Sequence, residues 1–148
     1  MENIYDVAKY FLHIDTMTHK KLQKLCYFAQ AWYLANYGRP LVANRFEAWV
    51  HGPVSPDLYS RYRDWGWEML PQEQDEPQFN DSNVKDFLDQ VYSVYGDYDA
   101  NTLESITHKE DPWRNARGNH LPGAYCRNPI SQNDMKKYYG DRIDKHYE

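Results

Sequence analysis

The chain has 148 residues, a net charge of −5 and an aromatic content of 16%, with 14 tyrosines and 5 tryptophans. Its length suits one hydrophobic core, so we expect a single domain over residues 1–148, and its aromatic content excludes a disordered chain. Binding to the phosphates of nucleic acid needs a clustered basic face, and the basic residues here are scattered. The composition therefore argues against a nucleic-acid partner and favours a protein partner.

Two helices are predicted in the first third of the sequence. Asn3 can cap a first helix whose apolar face runs over residues 4–12. Thr18 is a suitable N-cap for a second helix, and Gly38 offers a left-handed stop. We therefore predict a helix over residues 18–36. Its apolar stripe comprises Leu22, Leu25, Ala29, Trp32 and Tyr33.

A short strand and a third helix are predicted in the middle of the chain. Polar and apolar residues nearly alternate there, which predicts a strand that is clearest over residues 46–50. The glycine-proline turn at residues 51–53 is expected to end it. Ser55 as N-cap and Pro56 at the first helical position then begin a helix, which Gly66 stops.

Three further helices and two loops are predicted in the remaining sequence. Pro112 is expected to end the second of these helices and to begin a short helical turn. The sequence thus predicts a mainly α fold, a single compact helical domain with one or two short β-strands. The predicted loops are residues 71–81 and 118–129, and the predicted N-caps are Ser82, Asn101 and Ser131.

Cysteine usage and hydropathy bear on the compartment. Cys26 and Cys126 lie a hundred positions apart, a spacing typical of neither a zinc site nor a disulfide framework, so we expect two reduced thiols. The N-terminal sequence does not resemble a secretory signal, and no stretch approaches the ~18 apolar residues of a membrane span. We expect a cytoplasmic protein without membrane contact.

Five sequence blocks occur in a recognisable order. They are KLQKLCYFAQAWY at 21–33, GRPL at 38–41, FEAW at 46–49, HGPV at 51–54 and LESITHKEDPW at 103–113. Together they resemble the signature of the Panacea-domain antitoxin family, also called SocA-like or phage-associated GepA-like. The resemblance extends from about residue 17 to residue 143. Cys26 departs from it, since the family usually has an aliphatic residue there.

The resemblance implies a function based on protein binding. Its members are antitoxins of type II toxin–antitoxin systems, so it implies a cognate protein toxin encoded by an adjacent gene and neutralised by direct binding. One branch of the family implies an alternative, a proteolytic adaptor that delivers the toxin to a protease. An enzyme acting on a small molecule is a third and much weaker hypothesis.

The histidines are candidate catalytic or metal-binding residues. His108 precedes Glu110 and Asp111, but no second histidine or nucleophile has a spacing that would fix a partner for it. His13 and His19 lie six positions apart, not the four that place two ligands on one helix face. The sequence therefore predicts no catalytic residue, no metal site and no cofactor.

Aromatic residues and one rigid turn are the candidate partner-binding positions. Tyr27 falls off the apolar stripe of its helix, which indicates a surface position, whereas Tyr33 falls on it and is expected in the core. The turn at 51–53 could present a rigid edge to a partner, although such turns more often only connect a strand to a helix. The predicted partner-binding residues are Tyr27, Trp49, His51, Pro53, Tyr59, Trp113 and Arg114.

Overall fold

The computed structural model describes the backbone of residues 1–147 and the side chains of residues 1–143. Within these residues the protein is mainly helical, as predicted, with seven α-helices and four short strands in two antiparallel pairs. The elements are α1 (Ile4–Ile14), β1 (Met17–Thr18), α2 (His19–Tyr37), β2 (Glu47–Trp49), β3 (Gly52–Val54), α3 (Pro56–Tyr62), a 3-10 turn (Arg63–Trp65), β4 (Met69–Leu70), α4 (Val84–Tyr95), α5 (Ala100–His108), α6 (Asp111–Arg117) and α7 (Gln132–Tyr147).

The described residues form four strands, whereas the sequence predicted one or two. The predicted strand is present as β2, but β3 follows it after a two-residue turn and pairs with it, with Ala48 opposite Pro53. The prediction had assigned residues 51–53 wholly to the turn. A proline is tolerated in β3 because each strand of a two-stranded sheet is an edge strand. The second pair, β1 and β4, places Met17 opposite Leu70.

Helix α2 lies at the centre of the molecule. It packs against α1, α4, α5, α7 and β3, so buried residues occur on all its faces. Polar side chains are buried there as well, and three of them, Gln23, Lys24 and Gln30, have backbone partners. Gln30, for example, accepts hydrogen bonds from the backbone N–H groups of Leu41 and Val42 at 2.8 and 3.1 Å and donates to the Val42 carbonyl at 3.0 Å.

Helix boundaries follow the predicted caps at four of six positions. The side chains of Asn3, Thr18, Ser55 and Ser131 accept hydrogen bonds from the first turns of α1, α2, α3 and α7. The other two predictions were wrong. Asp99, two residues before Asn101, caps α5 by accepting from Thr102 N–H at 2.7 Å, and α4 begins after Asn83 rather than Ser82.

Both predicted loops are fastened to the helical body. Backbone N–H groups of Asn80 and Asp81 donate to the carboxylate of Glu2, which holds the end of the first loop. The guanidinium of Arg117 donates to three carbonyls within the second loop and to that of Ala48 in β2. Pro112 lies in the first turn of α6, as predicted. No helix of the described chain combines the length and the apolarity that crossing a membrane requires.

Candidate functional site

A cleft of about 350 Å³ opens between the N-terminal half of α2, the β2–β3 hairpin and the segment 59–67. Polar residues of α2 form its floor, and aromatic residues of the hairpin and of segment 59–67 form its walls. We call it the α2–hairpin cleft. Its main lining residues are His19, Lys20, Gln23, Lys24, Trp49, Tyr59 and Trp67.

A buried hydrogen-bond network ties the floor of the cleft to its far end. Gln23 accepts from the backbone N–H of Ser55 at 2.9 Å and donates to its carbonyl at 3.2 Å. This fixes the orientation of the Gln23 amide, so its nitrogen also donates to His19 Nε2 at 3.0 Å. His19 is therefore a neutral acceptor at this nitrogen. Burial, aided by the charge of Lys24, lowers the pKa of His19 to about 4, which agrees with that assignment.

The hairpin wall is built around Trp49. Its indole N–H donates to the buried carboxylate of Glu47 at 2.8 Å, and the guanidinium of Arg127 lies 4.5 Å from its ring centroid. On the other side it packs edge-on against Tyr59, with ring centroids 4.9 Å apart. These three contacts fix the Trp49 ring at the mouth of the cleft.

The opposite rim carries a small charged cluster. Glu104 of α5 accepts from Lys20 Nζ at 2.7 Å and from His51 Nδ1 at 3.1 Å. Burial opposes ionisation of Glu104, but the hydrogen bond and charge of Lys20, together with His51, outweigh it and lower the pKa of this carboxyl. The carboxylate of Glu104 is thus already engaged by Lys20 and His51.

Lys24 is the least exposed residue that lines the cleft. Its side chain is 1% exposed, and its ammonium donates to the Pro53 carbonyl at 3.1 Å. Gly52 lies directly against its aliphatic stem, so close that a Cβ on Gly52 would be 2.5 Å from Lys24 Cε. Burial, and then the charge of Lys20, lower the pKa of Lys24 to about 7, although Glu104 opposes the shift.

Comparison with known proteins assigns the chain to a family. The sequence model of the family described as "Antitoxin SocA-like, Panacea domain" matches residues 22–114, more than half of the chain. The protein belongs to the SocA-like antitoxin family. It is also 30% identical over 104 residues to "Antitoxin SocA" of Caulobacter vibrioides (strain NA1000 / CB15N), an alignment that covers 62% of this chain and 55% of that relative. The match therefore spans about half the length of the relative. No solved structure is significantly similar to the chain.

The family match includes most of the elements that build the cleft. It begins within α2 at Leu22, passes through the hairpin, α3 and the 3-10 turn, and ends in α6. Three of the predicted partner-binding residues of this SocA-like chain, Trp49, His51 and Tyr59, lie together at the cleft. The hairpin that carries Trp49 and His51 is held beside α2 by its second strand, because β3 packs on α2.

Tyr27 does not lie on this surface, and its predicted exposure was wrong. Its side chain is 1% exposed and packs edge-on against Phe46 of the segment before β2 and Tyr139 of α7. The surface prediction failed because α2 is covered on the face opposite its apolar stripe as well. Tyr33, predicted in the core, is buried.

Two further predicted contact residues are buried, and one lies elsewhere. Pro53 is a buried residue of β3, and Trp113 is 5% exposed, with its indole N–H donating to the Trp49 carbonyl at 2.9 Å. Neither presents a side chain to a partner. Arg114 is exposed but lines a separate pocket beside α6. His108 stacks on Trp113 at 3.9 Å, which is a packing role.

Sequence reasoning missed the charged and exposed residues of the cleft. Lys20 and Lys24 recur four positions apart at the start of α2, a spacing that places both on one helix face and could have drawn attention to them. Trp67 follows the helix-stopping Gly66 and is 75% exposed. Among the described residues no cluster of three or more histidine, cysteine, aspartate or glutamate side chains has the geometry of a metal site.

Proposed function

We propose that this chain is the antitoxin of a type II toxin–antitoxin pair and neutralises its cognate toxin by binding it directly at the α2–hairpin cleft. Membership of the SocA-like family supports the antitoxin role. In this proposal the toxin is encoded by the adjacent gene, both proteins act in the cytoplasm, and residues 1–148 act as one domain.

The observation that carries direct binding is the cluster of exposed aromatic rings at the cleft. Trp67 is 75% exposed and Tyr59 is 37% exposed, and both line the same concave surface as Trp49. Tryptophan and tyrosine dominate interface hot spots because they contribute a large contact area at a small cost in conformational entropy. Clustered exposed aromatic surface is characteristic of a binding site.

The rigidity of the cleft also favours tight binding. Gln23 fixes the junction of β3 and α3, and Glu47 and Arg127 fix the Trp49 ring. A surface whose side chains are already ordered loses less entropy when a partner docks. Docking on the free structure without rearrangement of the backbone is therefore the expected mode.

Growth rescue tests the antitoxin role. Expression of the neighbouring gene alone should arrest growth, and co-expression of this chain should restore it. Growth arrest that persists while the chain accumulates in soluble form would contradict the proposal.

A purified system distinguishes direct inhibition from delivery to a protease. With no protease present, saturating amounts of this chain should form a stable complex with the toxin and abolish its activity. Toxin activity that survives saturation and falls only after a protease is added would instead favour the adaptor function.

A further inference from the structure

The α2–hairpin cleft contains a buried amino group that lacks an anionic partner. The Lys24 side chain is 1% exposed, and its ammonium, which carries three N–H groups, has the Pro53 carbonyl as its one hydrogen-bond acceptor in the described chain. No carboxylate of the described residues lies within ion-pair distance of it. Such a burial is costly, because a buried ammonium is normally paired and fully hydrogen-bonded.

The charges around Lys24 do not compensate for it. Glu104 is the acidic group that faces this region, and its carboxylate is held by Lys20 Nζ at 2.7 Å and by His51 Nδ1 at 3.1 Å. Apart from the Tyr59 hydroxyl, the remaining ionisable groups belong to basic residues, of which His19 is neutral and Lys20 is paired with Glu104. They are His19 and Lys20 on α2, His108 on α5, His51 in the hairpin turn and Arg63 across the cleft.

The cleft therefore holds one buried amino group, that of Lys24, which no carboxylate of the described residues engages, in a chain whose net charge is −5. This combination discriminates between anions. A polyanion such as nucleic acid would be repelled by the net negative charge of the chain, whereas a single carboxylate in the cleft would find the Lys24 amino group, which no other carboxylate engages. The aromatic walls formed by Trp49, Tyr59 and Trp67 suit the aliphatic stem of an acidic side chain.

We propose that the α2–hairpin cleft receives the carboxylate of an aspartate or glutamate side chain of the toxin, which forms an ion pair with Lys24. This inference rests on the proposed function, since it takes the toxin as the occupant. It extends that function by naming the chemical group that the antitoxin recognises and the residue that recognises it.

Proton uptake follows from this arrangement. The pKa of Lys24, lowered to about 7 by burial and then by the charge of Lys20, leaves a substantial share of the free chain with a neutral amine at neutral pH. An arriving carboxylate favours the ammonium form and raises this pKa. Binding at pH 8 should therefore take up a proton that a neutral contact at the same place would not take up.

The test is a pH titration of lysine side chains labelled with carbon-13 at Cε and observed by NMR. Lys24→Met assigns the resonance. In the free chain Lys24 should titrate near pH 7, and in the complex with the toxin its pKa should rise by about one unit or more, the effect of an opposite charge within 4–6 Å. An unchanged pKa in a saturated complex would overturn the proposal.

Sodium acetate serves as a probe that does not depend on the toxin. Acetate should raise the pKa of Lys24 relative to sodium chloride at the same ionic strength. If the pKa of Lys24 rises with acetate but not with bound toxin, the assignment of the carboxylate to the toxin is overturned. If no complex forms at all and growth is not rescued, the proposed function fails, and the acetate titration alone decides whether the carboxylate subsite exists.

Affinity provides a second and independent readout. Lys24→Met, which keeps the length and apolar stem of the side chain, should weaken toxin binding roughly 30-fold or more, because it leaves the toxin carboxylate buried without a cation. Lys137→Met, which changes an exposed lysine of α7, is the matched control and should bind as the parent does. Equal affinities of both variants would contradict the ion pair, and circular dichroism checks that each is folded.

Discussion

Gly52 shows how closely the hairpin fits onto α2. Its φ is +106°, and an added Cβ would lie 2.5 Å from Lys24 Cε and 3.1 Å from Thr107 Oγ1. Gly52→Ala therefore combines backbone strain with a steric clash and should lower the free energy of unfolding by about 3 kcal/mol in urea denaturation.

Gly118→Ala is the matched control for this prediction. Gly118 also has a positive φ, +56°, but an added Cβ would meet no atom within 4 Å. The free energy of unfolding of Gly118→Ala should fall only by the backbone contribution of about 1 kcal/mol. If both variants lose the same free energy of unfolding, the close contact between Gly52 and Lys24 does not add to the cost of the Gly52→Ala substitution.

Glu110 makes stability depend on pH. Its carboxyl accepts a hydrogen bond from the Tyr139 hydroxyl at 2.5 Å. Burial raises its pKa from 4.5 to about 7, although Tyr139 and then Arg142 oppose the rise. Because the folded pKa is raised, this group stabilises the fold fully below pH 4.5, and the contribution is lost as the pH rises through 7.

Glu110→Gln isolates this effect, since the amide oxygen still accepts from Tyr139 but does not ionise. The free energy of unfolding of the variant should exceed that of the parent by an amount that grows as the pH rises from 4.5 to 7. At pH 8 the difference should reach up to about 3 kcal/mol. Urea unfolding of both proteins at pH 4.5 and pH 8 measures the difference. A stability difference that does not change with pH would contradict the prediction.

At the scale of elements, the loop over residues 118–129 depends on one side chain of α6. Arg117 is 3% exposed and donates to the carbonyls of Leu121 and Ala124 at 2.8 and 2.6 Å and to that of Ala48 at 2.9 Å. Arg117→Met should free this loop and speed its amide hydrogen exchange and its proteolysis at least tenfold, because the loss of one charged hydrogen bond is worth about 1.5–3 kcal/mol.

The same helix supplies the control. Arg114 is exposed, so Arg114→Met should leave the exchange rates of the loop unchanged. Exchange in α2 should be unaffected in both variants. Faster exchange throughout the chain in Arg117→Met would instead indicate that the residue supports the whole fold.

The elements that the sequence predicts well are those with local signals. Thr18 and Gly38 delimit α2 because a cap and a left-handed glycine act within one turn of the helix. The β3 strand was missed because pairing with β2 outweighs the turn propensity of Gly52 and Pro53.

The candidate site was predictable only in part for the same reason. Trp49, His51 and Tyr59 lie close together in sequence around one hairpin, and the chain brings them to one cleft. The placement of Tyr27 depends on Tyr139, more than a hundred positions away, and the sequence of α7 does not reveal which face of α2 it covers. Contacts between residues so far apart in sequence are determined by tertiary packing and not by local sequence signals.

At the scale of the whole molecule, toxin binding should depend on Trp67, the most exposed aromatic ring of the cleft. Trp67→Ala should weaken the affinity for the toxin by about 2 kcal/mol, a factor of ~30, as expected of an interface hot spot. The free variant should unfold at the same temperature as the parent, because the Trp67 side chain is 75% exposed. Calorimetric titration and thermal unfolding measure the two quantities.

Tyr37→Ala is the control for a general loss of aromatic surface. Tyr37 is 49% exposed and lies at the last position of α2, at the opposite end of this helix from the cleft. Its removal should leave toxin affinity unchanged. If Trp67→Ala binds as tightly as Tyr37→Ala, the toxin docks on another face.

The floor of the cleft, formed by α2, tolerates substitution less than its exposed aromatic wall does. Lys20, Gln23 and Lys24 share their helix with the central core residues, so substitutions on this side disturb folding as well as recognition. Trp67 is 75% exposed, whereas Tyr59 contacts Trp49 and His19 and is less free to change. If the toxin docks at this cleft as proposed, a new toxin specificity is expected to arise by substitution of Trp67, while the floor of the cleft and the fold that it supports are expected to be inherited unchanged.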